Sequence, residues 1–220
     1  MKHSLFSNLL VIVAVAIGML SCAQSYSEHN DDGVVHLEQI KSDLDSQFSK
    51  LRRVEFSKQK IKAEKFLKLN QRYNQDLVFF IDMKQPSGKY RFYVQSFQKD
   101  SVVDRALVAH GSGSVINGSD SLTFSNIPES YQSSLGNYRI GKTYNGNFGK
   151  SYKLHGLDDS NSKAYQRYVV LHPYSAVPDE EQDFPIMESL GCPMVSENFA
   201  KRLYSIIDQS TKPILLVIYY

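Results

Sequence analysis

At Asp76 the hydrophobic period of the chain changes, and that change separates what can fold as helix from what can fold as sheet. Before it, Leu37, Ile40, Leu44, Phe48 and Leu51 recur at three- and four-residue steps, the stripe of one helical face, and Ile61, Phe66, Leu67 and Leu69 follow. The spacing predicts a helical segment over 34–75. After Asp76, Leu77 to Ile81 is a short apolar run fit for a buried strand, and Gln85-Pro86-Ser87-Gly88 has turn chemistry. Tyr90 to Val94 and Ser101 to Ala109 continue as strands, so a β-meander is expected, ending in the small-residue loop His110 to Ser114. From Gly118 to Leu157 glycines punctuate the chain and predict short strands with tight turns. Tyr168 to Leu171 is a strand that delivers His172 at its end. Ser196 is an N-cap candidate for a helix to Gln209, with Phe199, Leu203, Ile206 and Ile207 as its apolar stripe. A last strand runs from Pro213 to Tyr220.

The 12% aromatic content is all Tyr and Phe, which suits a β-rich fold. A net charge of +2 leaves no whole-chain footprint for nucleic acid. Between Lys50 and Arg72 stand nine Lys or Arg residues and two Glu, the pattern of a solvated helix face. Attraction to an anionic membrane or wall polymer is the second reading of that stretch.

Lys2 and His3 precede an apolar run from Leu9 to Leu20, the length of an export-signal core and short for a spanning helix. The run ends Met19-Leu20-Ser21-Cys22, similar to a bacterial lipobox. Residues 1–21 are therefore expected to be a removable signal. Cys22 is expected to be lipidated and to anchor the chain to a bacterial membrane, with 22–33 as a polar tether. The expected location is outside the cytoplasm, facing the cell wall. Only two cysteines are present, so lipidation of Cys22 leaves Cys192 as an unpaired thiol in an exported protein.

Cys192 lies in Glu188-Ser189-Leu190-Gly191-Cys192-Pro193. A nucleophilic thiol needs exposure and a base. Gly191 lets the backbone approach a ligand, and the amides of Gly191 and Cys192 are placed to face a developing oxyanion. His172 is the base candidate, because it ends a buried strand.

These residues resemble the murein L,D-transpeptidase catalytic-domain family, in the branch whose nucleophile motif reads Ser-x-Gly-Cys-Pro. Further blocks share the resemblance in order: Ala109 to Ser114, Phe124-Ser125-Asn126 with Pro128, Ser134, Gly136 and Tyr138, then Tyr144-Asn145-Gly146, Gly149, Leu154 to Leu157, and Val169 to His172. The resemblance covers roughly 75–220. It implies a mainly β, mixed-sheet or barrel-like catalytic domain over 76–220, with the helical segment before it and a short helix after the nucleophile. It implies thiolate attack by Cys192 on the carbonyl before a D-amino acid of a peptidoglycan stem peptide, with His172 as base and Ser189 lining the site. Transfer to an amine makes a cross-link; transfer to water makes an L,D-carboxypeptidase. His110 is expected near the site. Two positions depart from the larger family: Pro173 stands where it has Gly after the histidine, and Pro193-Met194 where it has an arginine.

Asp179, Glu180 and Glu181 form an acidic run that either is solvated or attracts the amine of a substrate. No cofactor and no metal are expected. A zinc site built from His110, His155, His172 and Cys192 is the alternative chemistry, without an HExxH helix to carry it. A wall-binding module without turnover is the non-enzymatic alternative.

Overall fold

The computed structural model describes Asp31–Tyr220, with side chains from Gln39 onward. The expected signal 1–21, Cys22 and the tether as far as residue 30 lie outside the described residues. The chain divides into two units, one ending at Ser57 and one running from Lys58 to Tyr220.

Helix α1 spans Asp31–Leu69 as one uninterrupted element. Most of its apolar stripe is uncovered. Phe48, Leu51, Ile61 and Leu69 are exposed, and only Ala63 and Leu67 are buried. The reason is charge: a helix carrying so many Lys and Arg side chains keeps most of its surface wet, and only its last turns present small or branched residues to the sheet unit. Among the described residues no helix is long and apolar enough to cross a membrane. Helix α1 stops at Asn70, whose amide N–H bonds the Leu67 carbonyl. Asn74 then starts the sheet, its Oδ1 accepting the amides of Asp76 and Leu77 at 2.9 Å each.

Eight strands follow: β1 Leu77–Asp82, β2 Phe92–Ser96, β3 Ser101–Ala106, β4 Gly136–Gly146, β5 Gly149–Gly156, β6 Val170–Pro173, β7 Met194–Val195 and β8 Leu215–Tyr219. Their order across the mixed sheet is β3-β2-β1-β8-β4-β5-β6-β7. β1 is central, antiparallel to β2 and parallel to β8, with Val78 opposite Leu215. Strands covered on both faces read as continuous apolar runs, which is why Leu77 to Ile81 and Leu215 to Ile218 show no alternation. The two edges of the sheet meet through the continuation of β3, where the Ala109 amide donates to the Met194 carbonyl at 2.8 Å.

The middle of the chain forms one long hairpin instead of the short strands that its glycines suggest. β4 and β5 pair from Tyr138–Gly156 to Gly146–Gly149 across a two-residue turn. The glycines mark special points within it. The register shifts between Ile140 and Thr143, where a side chain on Gly141 would collide with the His155 ring. Gly149 takes φ +77 at the turn.

Helix α2, Glu197–Gln209, starts at Ser196, whose hydroxyl accepts the Phe199 amide as expected of an N-cap. Phe199, Ala200, Leu203 and Tyr204 pack with Phe79, Phe92, Val94 and Leu216 into the main core. A smaller cluster of Leu107, Ala109, Val177, Ile186 and Met194 holds the loops around β7.

Candidate active site

The nucleophile loop is clipped at both ends to the chain that follows β3. The Ser189 amide donates to the His110 carbonyl and the Ser112 amide to the Ser189 carbonyl, both at 2.8 Å. At the far end Ala109 holds Met194. Gly191 has φ +113, and a Cβ there would meet the Gln132 carbonyl oxygen at 3.0 Å. A glycine is therefore required twice over, by backbone conformation and by space.

β6 and β7 run parallel with His172 opposite Met194, which sets Cys192 beside Val170. The Val170 amide donates to Cys192 Sγ at 3.4 Å, and the thiol donates to the Tyr168 carbonyl at 3.6 Å. Tyr168 adopts φ +57, a left-handed conformation that turns its carbonyl onto the thiol. Burial pushes the thiol pKa up, opposed by the Val170 amide and by the charge of Arg167. Cys192 thus rests as a neutral thiol.

His172 is buried, and its Nδ1 lies 3.0 Å from the Pro173 carbonyl. A carbonyl only accepts, so Nδ1 carries the proton and the Nε2 lone pair is left for base chemistry. The proline that departs from the family pattern therefore orients the ring through its carbonyl. Burial lowers the His172 pKa, while the Pro173 bond raises it to a smaller degree. Phe148, at the tip of the β4–β5 hairpin, stacks on the ring with centroids 4.5 Å apart. The structure thus places His172 on β6 and Cys192 two residues before β7, the strand paired with it. Their recorded hydrogen bonds go to backbone groups, and among the described residues none joins the two side chains.

The Gly191 amide donates to Ser189 Oγ at 3.0 Å. Ser189 therefore shapes the turn before the nucleophile, and in this conformation the Gly191 amide is engaged.

Sequence reasoning missed Arg167 and Phe148. Arg167 donates to the Ser125 carbonyl at 2.7 Å, the Gln132 carbonyl at 2.6 Å, and the hydroxyls of Ser130 and Ser134. It fixes the 125–134 loop against Gly191 and places a cation near the thiol. An arginine directly before a buried strand, with no acid adjacent to pair it, was the available signal. Phe148 gave none, because only the hairpin register carries it to His172.

The acidic run is tied down within the chain. Asp179 accepts from Ser196 and Asn198, Glu180 from the Tyr90 hydroxyl, and Glu181 from the Tyr90 amide. The two serine and asparagine bonds hold the Asp179 carboxyl below the usual range. His155 stacks on Tyr165. Among the described residues no three His, Cys, Asp or Glu side chains gather as metal ligands.

The family of L,D-transpeptidase catalytic domains matches residues 49–219. The chain belongs to that family. No curated protein matches it closely. Solved structures with a similar fold include an L,D-transpeptidase from Xylanimonas cellulosilytica, at 14% identity and TM-score 0.36, covering 66% of this chain and 60% of that one. One from Mycobacterium smegmatis has 10% identity and TM-score 0.40, covering 66% and 59%. One from Enterococcus faecium has 10% identity and TM-score 0.40, covering 66% and 50%. The similarity thus spans half to three-fifths of those chains.

Proposed function

We propose that this protein is a cysteine-dependent L,D-transpeptidase acting on peptidoglycan stem peptides. The observation that carries the reading is the tautomer of His172, a buried imidazole with its Nε2 lone pair free, on β6, whose partner strand β7 begins two residues after Cys192. Both groups are neutral at rest, so the thiol transfers its proton to Nε2 as sulfur attacks the substrate carbonyl. The tetrahedral oxyanion collapses with cleavage of the peptide C–N bond. The imidazolium returns the proton to the departing amine, leaving a thioester on Cys192. An acceptor amine gives a proton to Nε2, attacks the thioester carbon and expels the thiolate, which takes the proton back from the imidazolium, leaving the new amide bond and the neutral pair. Water in place of the amine gives the shortened peptide. The Cys192 amide is the oxyanion donor available without rearrangement, and the Gly191 amide joins it on leaving Ser189 Oγ.

The sequence before the described residues supports export and lipid attachment through Cys22, which would hold the enzyme on a bacterial membrane facing its substrate. Mass spectrometry of products from disaccharide-tetrapeptide tests the activity. A cross-linked dimer lost in Cys192→Ala supports transpeptidation. Tripeptide alone moves the assignment to an L,D-carboxypeptidase. No product from folded enzyme refutes turnover of this substrate.

A further inference from the structure

Helix α1 carries two apolar faces, and among the described residues only one of them is buried. Ala63 and Leu67 are covered, and they lie about 120–160° round the helix from Leu51, at ~100° per residue. On the Leu51 side, Phe48, Leu51, Val54 and Ile61 stand exposed at 40%, 55%, 48% and 66%. Ile40 and Leu44 continue that stripe toward the N-terminus and are half-buried, and Leu37 extends it in the sequence. Leu37, Leu44 and Leu51 recur every seventh residue, and so do Ile40, Gln47, Val54 and Ile61. The second series follows the first by three, which is the a and d spacing of a coiled-coil seam. A contiguous apolar stripe left in water marks an interaction surface.

The charges of the same helix are divided along its length. From Asp31 to Asp45 stand five carboxylates and one Lys; from Lys50 to Lys68 stand eight Lys or Arg and two Glu. A parallel pair of such helices would set the basic half against itself. An antiparallel pair sets the acidic half of each copy against the basic half of the other. The seam fits that orientation as well. With Leu44 opposite Val54 of the second copy, Leu37 falls opposite Ile61, Leu51 opposite Gln47 and Lys58 opposite Ile40. Phe48 then meets its own counterpart at the two-fold axis, and Lys41 lies beside Glu55 of the other copy, once on each side of the axis. Lys50 meets its counterpart on the opposite flank, a like-charge contact that the two Lys41–Glu55 pairs outnumber. The acidic half argues against a flat seat on an anionic membrane, which would repel its carboxylates.

We propose that the outer face of α1 is the interface of an antiparallel coiled-coil homodimer, joined along the stripe from Leu37 to Ile61. Sedimentation equilibrium of the purified protein, over a wide range of micromolar concentration, tests it. A reversible monomer–dimer equilibrium is expected. Val54→Asp removes an apolar side chain from the seam in both copies and should weaken the dimer about a hundredfold. Val54 is exposed in the single chain, so this variant should keep its fold, checked by its melting curve. Orientation is tested by charge. Lys41→Glu should weaken the dimer about tenfold, and Lys41→Glu combined with Glu55→Lys should restore it. Residues 41 and 55 lie about 21 Å apart along one helix, so restoration reports contact between copies. A monomer at every concentration, a dimer indifferent to Val54→Asp, or charge variants that neither weaken nor restore it would overturn the proposal. A monomer that sediments with phosphatidylglycerol vesicles, and ceases to in Val54→Asp, would overturn it in favour of a lipid surface.

Discussion

His110 makes the stability of this protein depend on pH in a way that can be worked out in advance. Its pKa is held at about 4 by burial and by Arg91, against 6.5 for a free imidazole. In the unfolded chain the ring binds a proton below ~6.5; in the folded chain it resists until about 4. Across that window the unfolded state binds more protons, so stability falls as pH falls. Two and a half units at ~1.36 kcal/mol each give about 3 kcal/mol lost between neutral pH and about 4. His172 is also lowered and acts in the same direction, as do carboxylates held by hydrogen bonds, so the unaltered protein alone cannot isolate the effect. The comparison with His110→Gln does, because every other group titrates in both. Urea unfolding at several pH values between about 7 and 4 is the assay. The variant cannot take up a proton, so whatever its stability at neutral pH, the difference between the two curves should shift by about 3 kcal/mol in its favour on acidification. Parallel curves would refute the assignment of a neutral, Arg91-bonded His110.

Arg167→Met removes the cation near Cys192 and should raise the thiol pKa further, seen as slower iodoacetamide alkylation near neutral pH; an unchanged pH profile would show that Arg167 does not act on the sulfur. Phe148→Ala exposes His172 to water and should raise its pKa, read by proton resonance of the ring, with a stability change of about 1 kcal/mol at most; a fall in pKa would contradict the desolvation argument. Gly191→Ala forces a side chain into φ +113 and against the Gln132 carbonyl, and should cost about 1–3 kcal/mol in chemical denaturation and distort Cys192 reactivity. Ser196→Ala should cost about 1 kcal/mol by uncapping α2 and freeing Asp179, with the loss visible in thermal melts.

The central strands and α2 were legible because their signals are local. Leu77 to Ile81 and Leu215 to Ile218 are apolar runs of strand length, and Ser196 caps a stripe with a helical period. The β4–β5 hairpin was not, since Gly141 and Gly146 look like breaks until the pairing shows one as a bulge and the other as a turn. Which part of α1 is covered was not legible either, because periodicity reports which residues share a face and not whether anything packs on it. At the site, Cys192 and His172 stood out by type and setting. Their orientation did not: it depends on the Pro173 carbonyl, the left-handed Tyr168 and the Phe148 ring, each of which enters through tertiary geometry. Asp179 to Glu181 read in the sequence either as a solvated run or as a lure for an amine, and what the sequence could not show is their hydrogen bonding to Tyr90, Ser196 and Asn198.

The central claim is a covalent acyl-enzyme on Cys192. Rapid mixing with disaccharide-tetrapeptide, acid quench and intact-mass measurement followed by peptide mapping would test it most directly. The account predicts a mass increase equal to the donor minus its terminal amino acid, mapped to Cys192, lost in Cys192→Ala and discharged when an amine acceptor is added. An acyl group on another residue, or product formation by folded Cys192→Ala, would contradict it.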